Sequence, residues 1–238
     1  MRTVFRRCFL ANFAVRPAAL SARLPAYLRP DLHDDSAFLS VVIAEMHDMR
    51  PTPFPSVLGV TYTQVVYRAV VRCGSERGVY FLRSDADNGM VVAAGNLLTF
   101  FRFHLADVSW TISDRFVRFS LRPRRNEAAS IDAGYDIAAA SKSLPNTSRF
   151  ATLSAAHSFL TELFTAFGAP RRGGGVEAVR IRRTPWESIV VPDLSANYEA
   201  MRSGVLFGDG DSELDSVFYV ANLDYHWDRL TTVFPSYG

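Results

Sequence analysis

TYTQVVYRAVV, residues Thr61–Val71, alternates strictly between two sets of side chains and decides how the rest of the chain is read. Extended to Val60–Cys73, it puts Tyr62, Gln64, Val66, Arg68 and Val70 on one face and Thr61, Thr63, Val65, Tyr67 and Ala69 on the other. Period two with many β-branched and aromatic residues predicts a strand near the centre of a sheet. Gln64 and Arg68 are then polar groups on a face that is otherwise apolar.

Downstream, Gly74–Gly78 predicts a hairpin connection into a strand over Val79–Ser84. Asn88–Phe101 changes to helical period, with Met90, Val91, Ala94, Leu97, Leu98 and Phe101 on one stripe. Phe103–Thr111 and Phe116–Leu121 form a second hairpin turned at Ser113-Asp114. In its second strand Val117, Phe119 and Leu121 alternate with Arg118, Ser120 and Arg122, so one side faces core. Leu153–Phe167 keeps a 3.6-residue period through Leu153, Ala156, Leu160, Leu163, Phe164 and Phe167, which predicts a helix stopped by Gly168 and Pro170. Arg171–Gly175 reads as a loop, and Val176–Arg182, Ser188–Val191 and Asp215–Tyr225 as strands.

Upstream, Val4–Val15 predicts a first strand, Pro17–Leu24 a short helix burying Leu20 and Leu24, and Ala37–His47 a strand covered on both faces. Pro51–Pro55 is a loop too short to link domains. Many strands with a few interposed helices predict an α+β fold around a curved antiparallel sheet or barrel, in one domain over residues 1–238.

A net charge of +2 carries no strong field, so nucleic acid is not implied as a partner. Arg122-Pro123-Arg124-Arg125 is basic but has no interleaved aromatics, and a hairpin end explains it. Cys8 and Cys73 lack metal or disulfide spacing, which leaves a reducing cytoplasm as the predicted compartment. Residues 1–30 hold six arginines and no acid, yet the apolar run within them is broken by Asn12 and Arg16 and is too short to span a bilayer. No membrane partner is expected, and assembly into a homo-oligomer is left open.

Several constellations fall short of a metal or nucleotide site. Asp224, His226 and Asp228 alternate on one strand face, and His47-Asp48 is adjacent, but acids at the end of a strand ordinarily face water. Gly208–Glu213 looks like a calcium loop but has Leu214 and Val220 where the sixth and twelfth positions would be. No metal or other cofactor is expected. Phosphate-loop, dinucleotide and serine-hydrolase motifs are missing from the sequence.

FLANFAVRPAALSARLPAYLRPDLHDDSAFLSVVIAEMHDMRP, the Thr61–Val71 strand and GVYFLRSDAD…GNLLTFFRFHLA, taken in order, resemble the DUF2071 (YqjF-like) branch of the acetoacetate decarboxylase-like superfamily. FLTELF (Phe159–Phe164) and TPWES (Thr184–Ser188) echo shorter motifs of that branch. The resemblance implies a closed antiparallel β-cone flanked by a few helices, with an internal pocket. In the decarboxylase a lysine forms a Schiff base with a β-keto acid, assisted by glutamates and an arginine.

Here the matching stretch is Phe101-Arg102-Phe103-His104, without a lysine in any register, and Lys142 is the only lysine in the chain. Gln64 stands where the central-strand glutamate would be, and the other acidic position falls near Val42. Arg102 is no substitute nucleophile, since a guanidinium stays protonated to about pH 12.5. Tyr62, Gln64, Arg68, Arg102 and His104 remain as candidate ligand-binding residues.

The function expected from them is binding of a small anionic or carbonyl-bearing molecule without Schiff-base chemistry. The alternatives are an enzyme in which His104 and Arg102 perform acid–base work on a keto acid (condensation, dehydration or tautomerisation), or an interaction protein whose interior is packed. A competing reading of Arg68 places it on the outer face, or pairs it with Glu45.

Overall fold

The computed structural model describes residues 1–125, 127–168 and 176–233. In chain order the elements are β1 (Arg2–Val15), α1 (Pro17–Ser21), β2 (Arg29–Pro30), β3 (Leu32–His33), β4 (Ser36–Arg50), β5 (Val60–Cys73), β6 (Glu76–Ala86) and α2 (Gly89–Leu98). There follow β7 (Phe103–Ile112), β8 (Phe116–Pro123), β9 (Ile131–Asp136), α3 (Leu153–Thr161), β10 (Thr165–Gly168), β11 (Val176–Arg183), β12 (Ile189–Val190), β13 (Asp193–Tyr198) and β14 (Ser212–Val233).

Seven strands close a ring in the order β6-β10-β11-β14-β1-β4-β5, with β5 pairing back to β6. Most neighbours are antiparallel; β6 runs parallel to β10 and to β7. From β6 the sheet continues through β7, β8, β9 and β13, which fold over the outside of the ring. The alternation seen in the sequence sorts side chains onto the two surfaces. Phe9, Val41, Ile43, Val65 and Tyr67 pack outward against Phe119, Leu121 and Tyr135 of the second layer. Cys8, Leu10, Val42, Val66 and Val220 face inward with Leu160 of α3.

Both faces of β4 are covered: Ala37–Ala44 are all buried, which is why that stretch reads as continuously apolar. A polar bridge crosses three strands inside the ring. Ser40 Oγ donates to Asn12 Oδ1 (2.7 Å), and Asn12 Nδ2 donates to Ser216 Oγ (3.3 Å), so these buried groups satisfy one another.

Some elements depart from the sequence expectation. The helix predicted over Leu153–Phe167 ends at Thr161, and Thr165–Gly168 is a strand, β10, inserted between β6 and β11. Leu163 and Phe167 are buried as the period required, but Phe164 is exposed, because pairing on both edges overrides a local helical pattern. The Arg171–Gly175 loop and Pro170 lie outside the described residues. Helix α2 spans only Gly89–Leu98, and Met90, Leu97 and Leu98 of its stripe are exposed. The turn after β5 is Gly74-Ser75, with Glu76 already in β6, and the short helix after β1 ends at Ser21. β9 and β13 have no counterpart in the sequence reading.

Candidate functional site

A cavity of about 60 Å³ lies inside the ring, with walls from β1, β4, β5, β6 and β14 and a rim from the end of α3 and the loop after β11. Its floor is apolar, contributed by Leu10, Val42, Ala44 and Val66. Gln64 and Arg68 enter it together from β5, as strand periodicity requires. Tyr62, two residues earlier, is buried and does not line the cavity; its hydroxyl donates to Gln64 Oε1 (3.2 Å) and fixes the amide.

Arg68 has no carboxylate partner among the described residues. Glu45, the alternative partner, is engaged by Arg7, by His47 (3.0 Å) and by Arg6 (3.7 Å). Arg68 instead donates from Nη2 to the carbonyl of Leu160 (3.1 Å), and its Nε is buried without a partner among the described residues. Burial pulls its pKa down, only partly offset by Tyr225 and Cys8.

Arg183, from the end of β11, is the second cation in the wall. It donates to the carbonyl of Thr161 (2.7 Å) and lies over the rings of Phe164 (5.4 Å) and Trp186 (5.7 Å). Burial and the neighbouring Arg68 both lower its pKa. The two guanidiniums thus meet consecutive carbonyls at the C-terminal end of α3. A helix end carries roughly half a negative charge, which falls short of two full cations.

The remaining wall is built by a change of parity in two strands. Asn222, at φ 55, is in the left-handed region, and Arg6 falls opposite it where the β1–β4 register shifts. Before this step Val220 faces the cavity; after it Leu223, Tyr225 and Trp227 do. Asp224, His226 and Asp228 are therefore turned to the other face, where Asp224 pairs with Arg2 (3.7 Å) and Asp228 with Arg182. Burial pushes the Tyr225 phenol and the Cys8 thiol, both cavity groups, up to about 12, so each holds its proton at neutral pH.

Arg102 and His104 are not brought to the cavity. Arg102 is exposed. His104 Nδ1 lies 3.5 Å from Glu127, in a network where Arg83 bonds Asp85 through Nε (2.8 Å) and Nη2 (2.6 Å) and Glu127 through Nη1 (2.5 Å). The Phe101–His104 stretch reaches the cavity indirectly, through Phe101 stacked on the cavity residue Phe81 (4.5 Å). Lys142 is exposed and paired with Glu187 (2.6 Å), away from the cavity wall. Sequence reasoning missed Arg183, Trp186 and Tyr225. TPWES marked the right segment, and the Asn222 step hid the parity of Tyr225.

A ring of strands closed around an internal cavity, with helices beside it, is the fold of acetoacetate decarboxylase-like proteins. The structure matches acetoacetate decarboxylase from Legionella pneumophila with a TM-score of 0.65 at 15% identity, covering 100% of this chain and 88% of that one. It matches the enduracididine biosynthesis enzyme MppR complexed with pyruvate with a TM-score of 0.64 at 7% identity, covering 99% and 91%. Comparison with curated proteins finds no match. The chain belongs to the DUF2071 family, described as an uncharacterized conserved protein, whose model matches residues 2–224.

Proposed function

We propose that the cavity binds a small carboxylate, anchored by Arg68 and Arg183, and that whatever chemistry follows proceeds without a Schiff base. The observation that carries this is a largely buried arginine that has, among the described residues, no partner for its Nε and no acid beside it. A desolvated cation without an anion costs several kcal/mol, comparable to a domain's net stability, so a retained one argues for an anionic partner. The size of the cavity supports a small ligand: at ~10–15 Å³ for each water-sized position, about 60 Å³ accommodates a molecule of few heavy atoms. An open cavity also weighs against an interior packed for interaction alone. The chain would work as one domain; no described helix is long and apolar enough to cross a membrane, and two buried free cysteines suit a reducing cytoplasm.

Thermal shift with acetate, pyruvate and lactate tests the reading. A ligand at 100 times its Kd stabilises the native state by about 2.7 kcal/mol. Arg68→Met, which fills the same wall with an apolar side chain, should fold and lose that shift. A Met variant that binds like the parent would overturn the anchor. Borohydride added with pyruvate should leave the protein mass unchanged, whereas an adduct on Lys142 would restore Schiff-base chemistry.

A further inference from the structure

The charged and the unpartnered groups around the cavity are one-sided in their chemistry. Arg68 and Arg183 can only donate hydrogen bonds, and so can the indole of Trp186, whose Nε1 is buried without a partner among the described residues. Gln64 has its Oε1 engaged by Tyr62, which leaves Nε2 as the half of the amide available to a ligand. Thr161 spends its hydroxyl proton on the carbonyl of His157 (2.7 Å), so its oxygen and that of the Tyr225 phenol are neutral acceptors and supply no anion. Among the described residues no Asp or Glu lines the cavity, so an ammonium group placed there finds no anion and two cations.

We propose that the site selects carboxylic acids whose second functional group is an oxygen acceptor, a carbonyl or hydroxyl, and rejects acids that carry an amino group in its place. This rests on the carboxylate reading above and adds the chemical class of the ligand's other end. Binding an acceptor satisfies donors that are otherwise idle. Binding an ammonium leaves those donors unpaired, strips the ammonium of water and sets it beside like charge. Trp186 becomes a specificity residue, supplying an N–H from a ring held edge-on by His157 (5.2 Å) while Ser188, two residues on, meets His157 Nδ1 at 2.7 Å.

Three acids of one carbon skeleton separate the possibilities: pyruvate, lactate and alanine, titrated calorimetrically into the full chain. Pyruvate and lactate should bind, and alanine about 100-fold more weakly, the scale of a like-charge juxtaposition. Trp186→Phe, which keeps an aromatic ring and removes the N–H, should weaken pyruvate about tenfold. Alanine within tenfold of pyruvate, or a Phe variant indistinguishable from the parent, overturns the selectivity and leaves the carboxylate site standing. If none of the three acids binds, the carboxylate reading itself fails.

Discussion

Asn222 shows how one backbone angle can choose the lining of a cavity. Asparagine tolerates the left-handed region, and by adopting it this residue presents Tyr225 and Trp227 inward rather than His226 and Asp228. Asn222→Gly should keep the fold, since glycine takes positive φ at no steric cost, whereas Asn222→Val should lose roughly 1–3 kcal/mol in denaturant unfolding. Strict alternation cannot anticipate such a step. It served for Gln64 and Arg68, where β5 pairs with β4 without a break and the register shift beside Arg68 takes its extra residue, Leu82, from β6, and failed for Tyr225. A second residue sets a pH response. Burial raises the Asp193 carboxyl to about 6, with only a backbone bond from Ser195 opposing it, while its unfolded value is about 3.9. The folded state therefore holds this proton more tightly, so its contribution is complete below pH ~4 and is lost as pH rises through about 6. Melting temperatures across that window should fall for the parent, and less for Asp193→Asn.

At the scale of elements, the informative failure is α3 and β10. LFTAFG continues the helical period of the preceding residues, and only the edges of β6 and β11 turn it into strand. That information lies in tertiary pairing and is not carried by any window of local sequence. β9 and β13 were illegible for another reason: IDAGYD and DLSANY mix acids and small residues into strands of six, too short for periodicity to stand out. The seam between β6 and β10 depends on close approach at Gly78, where an added Cβ would sit 2.4 Å from the carbonyl of Thr165. Gly78→Ala should thus destabilise by roughly 1–3 kcal/mol, the usual cost of overpacking. An unchanged unfolding midpoint would show that β10 gives way freely.

For the whole molecule, the α+β class followed from many short periodic segments, but closure of the sheet did not. Periodicity says which way side chains point and is silent on which strands meet; the family resemblance supplied the cone. The ring is closed by unequal joints. β1 is paired along nearly its full length with both β14 and β4, while among the described residues β6 and β10 share only the parallel partners Ala166↔Val79 and Phe167↔Tyr80. Amide hydrogen exchange should reflect this, with Ala166 and Phe167 exchanging ahead of Phe9, Leu10 and Ala11.

The longest joint also links the remotest parts of the chain, Arg2 opposite His226 and Val15 opposite Ser212. On a ribosome adding about 5–20 residues per second, β1 emerges roughly 10–40 s before the strand that will cover its edge. Throughout that interval the fourteen-residue β1, apolar from Cys8 to Val15 except at Asn12, has β4 as a neighbour on one side and open backbone on the other. Its vulnerability is then one of timing: newly made chains, more than finished ones, would need a chaperone, and slowing translation of the final strand should lower the soluble yield without altering the protein that does fold.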